Sequence, residues 1–258
     1  MGKIVAFSNQ KGGVGKTTTC VNLSAYLATM GYKVLLVDLD PQGNATSGLG
    51  FSKSEVKNSI YNTMIDEMPL VDAVIKTCVE NLDILPSSID LAGAEVELVY
   101  VKEREKVLRK VLCPAKTTYD FIMIDCPPSL GLLTINALTC ADTVIIPIQS
   151  EYYALEGLSQ LLNSIKLVKK HLNPSLEIEG VVLTMSDNRA IISRQISEEI
   201  RKFFGKRVYK TVIPRNIRLA EAPSHGVPIL LHDTKCTGAK AYSALTEEFV
   251  LAQPKSKK

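Results

Sequence analysis

Ile4-Val-Ala-Phe-Ser-Asn-Gln-Lys-Gly-Gly-Val-Gly-Lys-Thr-Thr18 decides how this chain is read. Ile4–Ser8 is a short apolar run of strand type, and Thr17–Met30 reads as a helix. Three glycines stand between them, at positions 12, 13 and 15. Strand, glycine loop and helix in this order form the context of a phosphate-binding loop. Glycines let successive backbone N–H groups turn toward phosphate oxygens, and the helix points its positive end at the same anion. Lys16 is expected at the β- and γ-phosphates, the Thr17 hydroxyl on Mg²⁺ and Thr18 at the α-phosphate. The usual spacing is not met throughout: Gln10 stands where a first glycine is common, and a second lysine, Lys11, precedes Gly12. A glycine-rich turn with accidental lysines is the bland alternative, and Gly15-Lys16-Thr17 in this context argues against it.

Working outward, Lys33–Leu39 is a strand that runs into Asp38-Leu-Asp40-Pro-Gln-Gly-Asn44. Side chains two apart share a strand face, so Asp38 and Asp40 sit together at the strand's C-terminal end. Ligands of open α/β sheets bind at those ends. Two carboxylates beside a phosphate repel it unless a cation or water intervenes, which favours metal and water chemistry over a pair of turn acids. Phe121-Ile-Met-Ile-Asp125 is a second apolar strand ending in a carboxylate, suited to hold Mg²⁺ through its water shell. No candidate base is stronger than Asp40. Thr17, Asp40 and Asp125 are the candidate metal residues, and Lys11, Lys16 and Asp40 the candidate catalytic ones.

Further strands are expected at Leu82–Leu85, Thr143–Ile148, Ile178–Met185 and Lys210–Ile213. Helices are expected at Leu91–Val111, Gly131–Thr139, Ala154–His171, Ile191–Phe204 and Cys236–Ala252. Apolar strands alternating with helices imply a doubly wound, mostly parallel sheet flanked by helices, a three-layer α/β/α fold. No linker or repeat interrupts it. The expectation is one domain over residues 1–252, with a frayed tail at 253–258.

Lys11-Gly-Gly-Val-Gly-Lys-Thr17 resembles the deviant Walker A motif of the ParA/MinD group of P-loop ATPases. Asp38–Asn44 and Asp125-Cys-Pro-Pro-Ser-Leu-Gly131 resemble that group's two switch segments. Ile213-Pro-Arg-Asn-Ile-Arg-Leu-Ala-Glu-Ala-Pro-Ser-His-Gly226 resembles a segment of its chromosomal ParA (Soj) branch. The likeness runs from residue 3 to about residue 250. It implies that Lys11 crosses a homodimer interface to the partner's nucleotide. It implies that residues 11–18, with Pro214, Arg215 and Asn216 at the base, bind ATP, and that Asp40 serves a slow hydrolysis. It further implies non-specific double-stranded DNA binding by the ATP dimer, a ParB (Spo0J-like) partner that stimulates hydrolysis, and a cytoplasmic, nucleoid-associated protein.

The charge pattern fits an anionic partner. The chain has 258 residues and a net charge of +3, but residues from Arg189 onward hold 14 basic and 6 acidic side chains. Before them stand 16 basic and 21 acidic. With no base-reading motif, such a patch suits phosphate contacts, and Arg189, Arg218, Arg207 and Arg215 are the candidate DNA contacts. A solvated helix face is the alternative for any one of them.

Other classes recede. No apolar run approaches the ~20 residues of a membrane span. Gly2 invites myristoylation, but Ala6 stands where the motif needs Ser or Thr. Six cysteines at 20, 78, 113, 126, 140 and 236 form no C-x-x-C pair or zinc spacing and are expected reduced. Pro254 and the polar end lack the amphipathic helix of the MinD class, so no stable membrane association is expected. A MinD-like positioning ATPase is nevertheless the runner-up, and a DNA-binding regulator that holds nucleotide without hydrolysing it is the third reading.

Overall fold

The computed structural model describes residues 1–151, 154–186 and 191–253. Among them lie strands β1 (Lys3–Phe7), β2 (Val34–Asp38), β3 (Ile75–Lys76), β4 (Leu82–Leu85), β5 (Phe121–Asp125), β6 (Thr143–Gln149), β7 (Glu177–Ser186) and β8 (Val208–Pro214). The helices are α1 (Lys16–Thr29), α2 (Asn44–Gly48), α3 (Ile60–Met64), α4 (Leu70–Ala73), α5 (Leu91–Glu97), α6 (Val107–Leu112) and α7 (Leu132–Cys140). They continue with α8 (Ala154–His171), α9 (Ile191–Phe204), α10 (Ile217–Glu221), α11 (Ile229–His232) and α12 (Thr237–Ala252). The strands form one sheet in the order β3-β4-β2-β5-β1-β6-β7-β8, parallel except for β3 against β4.

Alternation along the strands builds the layers. On β1, Ile4 and Ala6 join one core and Val5 and Phe7 the other. The first core takes side chains from α3 to α9, the second from α1, α2 and α10 to α12. Both faces are therefore covered, which is why the strands read as unbroken apolar runs. The doubly wound α/β/α expectation is met.

Three differences have physical causes. The helix expected over Leu91–Val111 is interrupted, with Val101 extended and Glu103 left-handed at φ 55°. Fully buried Asn136 of α7 donates to Arg104 O (2.8 Å) and accepts from Leu108 N (3.1 Å), satisfying backbone groups that the break exposes. Strand β3 has two residues and too little pattern to read. Gln253, expected in the frayed tail, closes α12 and is held by Lys3 Nζ (2.7 Å) and by Glu179 Oε1 (2.8 Å). Residues 254–258 lie outside the described residues.

The edge strand β8 is protected by α12, whose Glu248 accepts from Lys210 N (2.7 Å) and Thr211 N (3.0 Å). Beyond β8, the segment 217–232 folds back onto α2. There Gly226, at φ +66°, lies so close to Gly50 that a Cβ would stand 2.6 Å from Gly50 Cα. Only glycine allows that approach.

Candidate nucleotide-binding site

The ends of β1, β2 and β5 define the site. Phe7 and Asp38 are both register partners of Asp125, so the loop after β1 and the two strand-end aspartates lie side by side. Gly13 and Gly15 hold left-handed φ values of 71° and 81°. Gly15 is also the N-cap of α1 and supplies no side-chain cap, so the first-turn N–H groups of this helix stay available to an anion. The loop is tied down from outside. Asn9 Nδ2 donates to Pro147 O (2.7 Å), Asn9 Oδ1 accepts from Lys11 N (3.0 Å), and Thr184 Oγ1 donates to Val14 O (2.8 Å).

Lys16 is 7% exposed, and its Nζ donates to Lys11 O at 3.1 Å across the loop. Burial lowers its pKa, while Asp125, Cys126 and Asp40 pull the other way. A buried ammonium lodged among carboxylates is a strong attractor for phosphate oxygens.

Asp125 is fully buried, and neither carboxylate oxygen has a hydrogen-bond partner. Burial first, then the neighbouring Asp38, pushes its pKa well above the carboxylate range; the nearby Thr17 side chain and Lys16 oppose this. An unpaired buried carboxylate is costly unless something else binds it. Among the described residues no group of three or more His, Cys, Asp or Glu is arranged to hold a metal alone. A hard divalent cation carried in with phosphate oxygens and water fits both facts, with Asp125 and the Thr17 hydroxyl on the protein side.

The two switch-like aspartates differ. Asp38 is sealed in: its Oδ2 accepts from Thr46 N and Thr46 Oγ1, both at 2.7 Å, and its Oδ1 from Asp40 N at 3.3 Å. Burial raises its pKa to about 6 despite the Thr46 hydrogen bonds. Thr46 Oγ1 in turn accepts from Ser87 N (2.9 Å), and Ser87 Oγ donates to Asp40 O (2.8 Å). Asp38, Thr46 and Ser87 thus pin the backbone that carries Asp40. The Asp40 carboxylate accepts from Gln42 N (2.9 Å) through Oδ1, which leaves Oδ2 for a water or a metal. Thr46 and Ser87 were not legible as site residues, because they sit 8 and 49 positions from Asp38 and carry no motif.

Lys11 lies at the rim, where its Nζ pairs with Glu151 Oε2 at 2.9 Å; the two side chains are 34% and 48% exposed. Beside the loop opens a cavity of about 390 Å³. Gly15, Thr18, Thr184, Pro214, Arg215, Asn216 and Tyr242 help line it. The structure thus brings Pro214, Arg215 and Asn216 to the same cavity as Gly15 and Thr18. Asn216 is fixed by its own role, capping α10 by accepting from Arg218 N (2.9 Å).

The basic residues separate. Arg189 lies outside the described residues. Arg215 and Arg218 follow β8 at the loop end of the sheet. Arg207 precedes β8, 3.8 Å from Glu177 at the start of β7, about 20 Å away along a seven-residue strand. Arg218 contacts Glu221 Oε2 (2.8 Å) and Asp233 Oδ2 (3.7 Å). The four candidates are therefore not one contiguous patch.

A glycine loop at the end of the central strand, closed over a buried lysine and faced by a strand-end carboxylate, defines the class: a P-loop nucleotide-binding α/β protein. A family model described as AAA domain matches residues 2–178. Sporulation initiation inhibitor protein Soj of Bacillus subtilis is 60% identical over 96% of this chain and 98% of that protein. Chromosome partitioning protein ParA of Myxococcus xanthus is 52% identical over 97% and 88%. Among solved structures, cobyrinic acid a,c-diamide synthase of Mycobacterium smegmatis with a bound ATP analog and magnesium matches with a TM-score of 0.84 and 36% identity, covering 96% and 93%. The septum site-determining protein MinD of Pyrococcus horikoshii, complexed with Mg-ADP, is more distant at 29% identity and a TM-score of 0.80, covering 96% of each chain. The chain belongs to the AAA domain family and, within it, to the ParA/Soj group.

Proposed function

We propose that the chain is a Mg²⁺-dependent ATPase that partitions DNA. The catalytic half of this reading rests on Asp125, a buried carboxylate without a partner beside Lys16 and Thr17. The partitioning half rests on likeness to Soj and ParA along nearly the whole chain. The more distant likeness to MinD gives the membrane-positioning alternative less support. No helix among the described residues is long and apolar enough to cross a membrane.

In this reading the N–H groups of residues 12–18 and the Lys16 ammonium bind the phosphates, and the base lies against Pro214, Arg215 and Asn216. Asp125 and Thr17 hold Mg²⁺, which when bound offsets phosphate charge. Asp40, carried on the backbone that Thr46 and Ser87 immobilise, orients the attacking water. Charge developing on the transferred phosphoryl is met by fixed donors, so little reorganisation accompanies the reaction. Asp40 is the base that this reading assigns, and turnover is slow.

Lys11 accounts for the coupling to assembly. A half-exposed ion pair is worth about 1 kcal/mol or less. Its exchange from Glu151 to the nucleotide of a second copy therefore opposes dimerisation little. The ATP homodimer binds double-stranded DNA through Arg215, Arg218 and Arg189 without reading sequence. A ParB (Spo0J-like) partner stimulates hydrolysis and release, and the protein works in the cytoplasm on the nucleoid. Arg207, at the opposite end of β8, stands apart from this surface.

Phosphate release from ATP, followed with DNA and a ParB-type protein added separately and together, tests the cycle. The expected result is slow release alone and acceleration of tenfold or more with both. A rate unmoved by either addition supports the reading of a regulator that holds nucleotide as a ligand.

A further inference from the structure

One buried side chain ties the first turn of α1 to a segment near the other end of the chain. Asn22 lies on α1 and is 5% exposed. Its Nδ2 donates to Thr18 O at 2.8 Å, and its Oδ1 accepts from Ile229 N at 2.8 Å. Both ends of the amide are thus used, one beside the phosphate loop and one 207 positions away at the start of α11. Packing between α1 and α11 needs no amide, since an apolar side chain fills such a gap without burying polar atoms. What the amide adds is direction. It fixes which main-chain atom of α11 stands opposite Thr18.

The segment held in this way has little support of its own. Helix α10 has five residues and α11 four, lengths at which a helix in water does not persist by itself. Leu219, Ala222 and Ile229 supply its core contacts. It is fastened at two ends. At the near end, Asn216 Oδ1 accepts from Arg218 N (2.9 Å) and Leu219 N (3.4 Å), and Asn216 Nδ2 donates to Thr237 Oγ1 (2.8 Å). At the far end, Ile229 N is held by Asn22. Arg218 lies between the two. Thr18 and Asn216, the roots of these fastenings, line the same cavity. A ligand in that cavity touches both.

We propose that Asn22 is a positioning residue that couples the nucleotide site to residues 217–229. Nucleotide against Thr18 and Asn216 suppresses local opening of this segment, and Asn22 carries the effect from the phosphate side. The coupling joins a ligand to a local unfolding equilibrium and requires no rearrangement of the folded chain. Its bearing on DNA rests on the reading above, in which Arg218 is a phosphate contact. A segment that DNA must first order binds it more weakly than one that nucleotide already holds.

Amide hydrogen exchange of the full-length chain, free and saturated with Mg-ADP, tests the coupling. Mg-ADP fills the α-phosphate and base positions and lacks the γ-phosphate of the ATP-state dimer, so protection by assembly is kept out. In the wild-type chain, Mg-ADP slows exchange at Ile229 N and through residues 217–229 by about tenfold or more. In Asn22→Ala the segment exchanges faster, and the ratio between free and bound states falls to about two or less. A staple without a coupling role raises exchange in both states and leaves the wild-type ratio, a result that overturns the proposal. Thr19→Val is the control. It removes the hydrogen bond between Thr19 Oγ1 and Tyr242 OH (3.1 Å), which ties the same helix to α12, and keeps the wild-type ratio. Loss of the ratio there too marks a general loosening of α1 and overturns the proposal. A segment indifferent to Mg-ADP in the wild-type chain overturns it without any variant. Asn22→Ala also weakens ATP-dependent DNA binding, by about fivefold or more. The expected exchange pattern with no ATP-dependent DNA binding in the wild-type chain supports the coupling and counts against the DNA reading alone.

Discussion

Asp40→Ala binds ATP and dimerises but hydrolyses it at least about 100-fold more slowly than the wild-type chain. The expectation follows from how Asp40 is held. Its main-chain oxygen is fixed by Ser87 Oγ, and its carboxylate keeps one oxygen clear of internal partners. The side chain is 7% exposed and carries none of the core packing, so truncation removes a water-orienting group without opening a cavity among apolar residues. Phosphate binding rests on the loop amides and Lys16, which the change does not touch. Equilibrium binding of a fluorescent ATP analogue and single-turnover phosphate release separate the two effects. Turnover unchanged by the substitution excludes Asp40 from the reaction.

Asp125→Asn moves two properties in opposite directions. The apo protein gains about 1–3 kcal/mol of stability, because the amide removes a buried, unpaired carboxylate. Affinity for Mg-ATP falls about 100-fold or more, because the same oxygen no longer offers charge to the cation. The stability gain depends on pH in a definite sense. Asp125 is held well above the carboxylate range by burial and by Asp38, so the folded state favours its protonated form. The wild-type chain therefore loses stability as pH rises above the unfolded carboxylate value of about 4. The gap between the variant and the wild type is absent below that pH and widens as pH rises above it. Thermal unfolding across pH, with and without Mg-ATP, measures both. A variant less stable than wild type at neutral pH, with unchanged Mg-ATP protection, contradicts the metal-site assignment.

The parts of the site that could be read in advance are those whose chemistry is contiguous. Residues 11–18 carry loop, lysine and hydroxyl in one stretch, Asp38 and Asp125 each end an apolar strand, and Asp40 follows two residues after the first of these. Residues Pro214, Arg215 and Asn216 were candidates only through the resemblance of their segment, and β8 delivers them to a cavity shared with Gly15 and Thr18.

What escaped the sequence depends on pairing between distant residues. The Thr46–Ser87 link joins the end of β4 to α2. Glu151 meets Lys11 across 140 positions. Buried Asn136 compensates a helix break that the pattern of residues 91–111 does not announce. Charge counting along the C-terminal third does not say where in space the charges stand. Strand β8 is preceded by Arg207 and followed by Arg215, so neighbours in sequence stand at opposite ends of the strand. Arg194 opens α9 while Arg201 and Lys202 close it, about 10 Å further along. The division leaves Arg215 and Arg218 at the nucleotide end and Arg207 at the other.

That division sharpens the central claim, that ATP controls attachment to DNA from the loop end of the sheet. Binding of the purified chain to random-sequence double-stranded DNA, with ATP, ADP or no nucleotide across a salt series, tests it most directly. The account predicts tight binding with ATP alone, an affinity that falls steeply with salt, and a shallower salt slope for Arg218→Ala than for Arg207→Ala. DNA binding that is equal in all three nucleotide states, or absent from all of them, contradicts it.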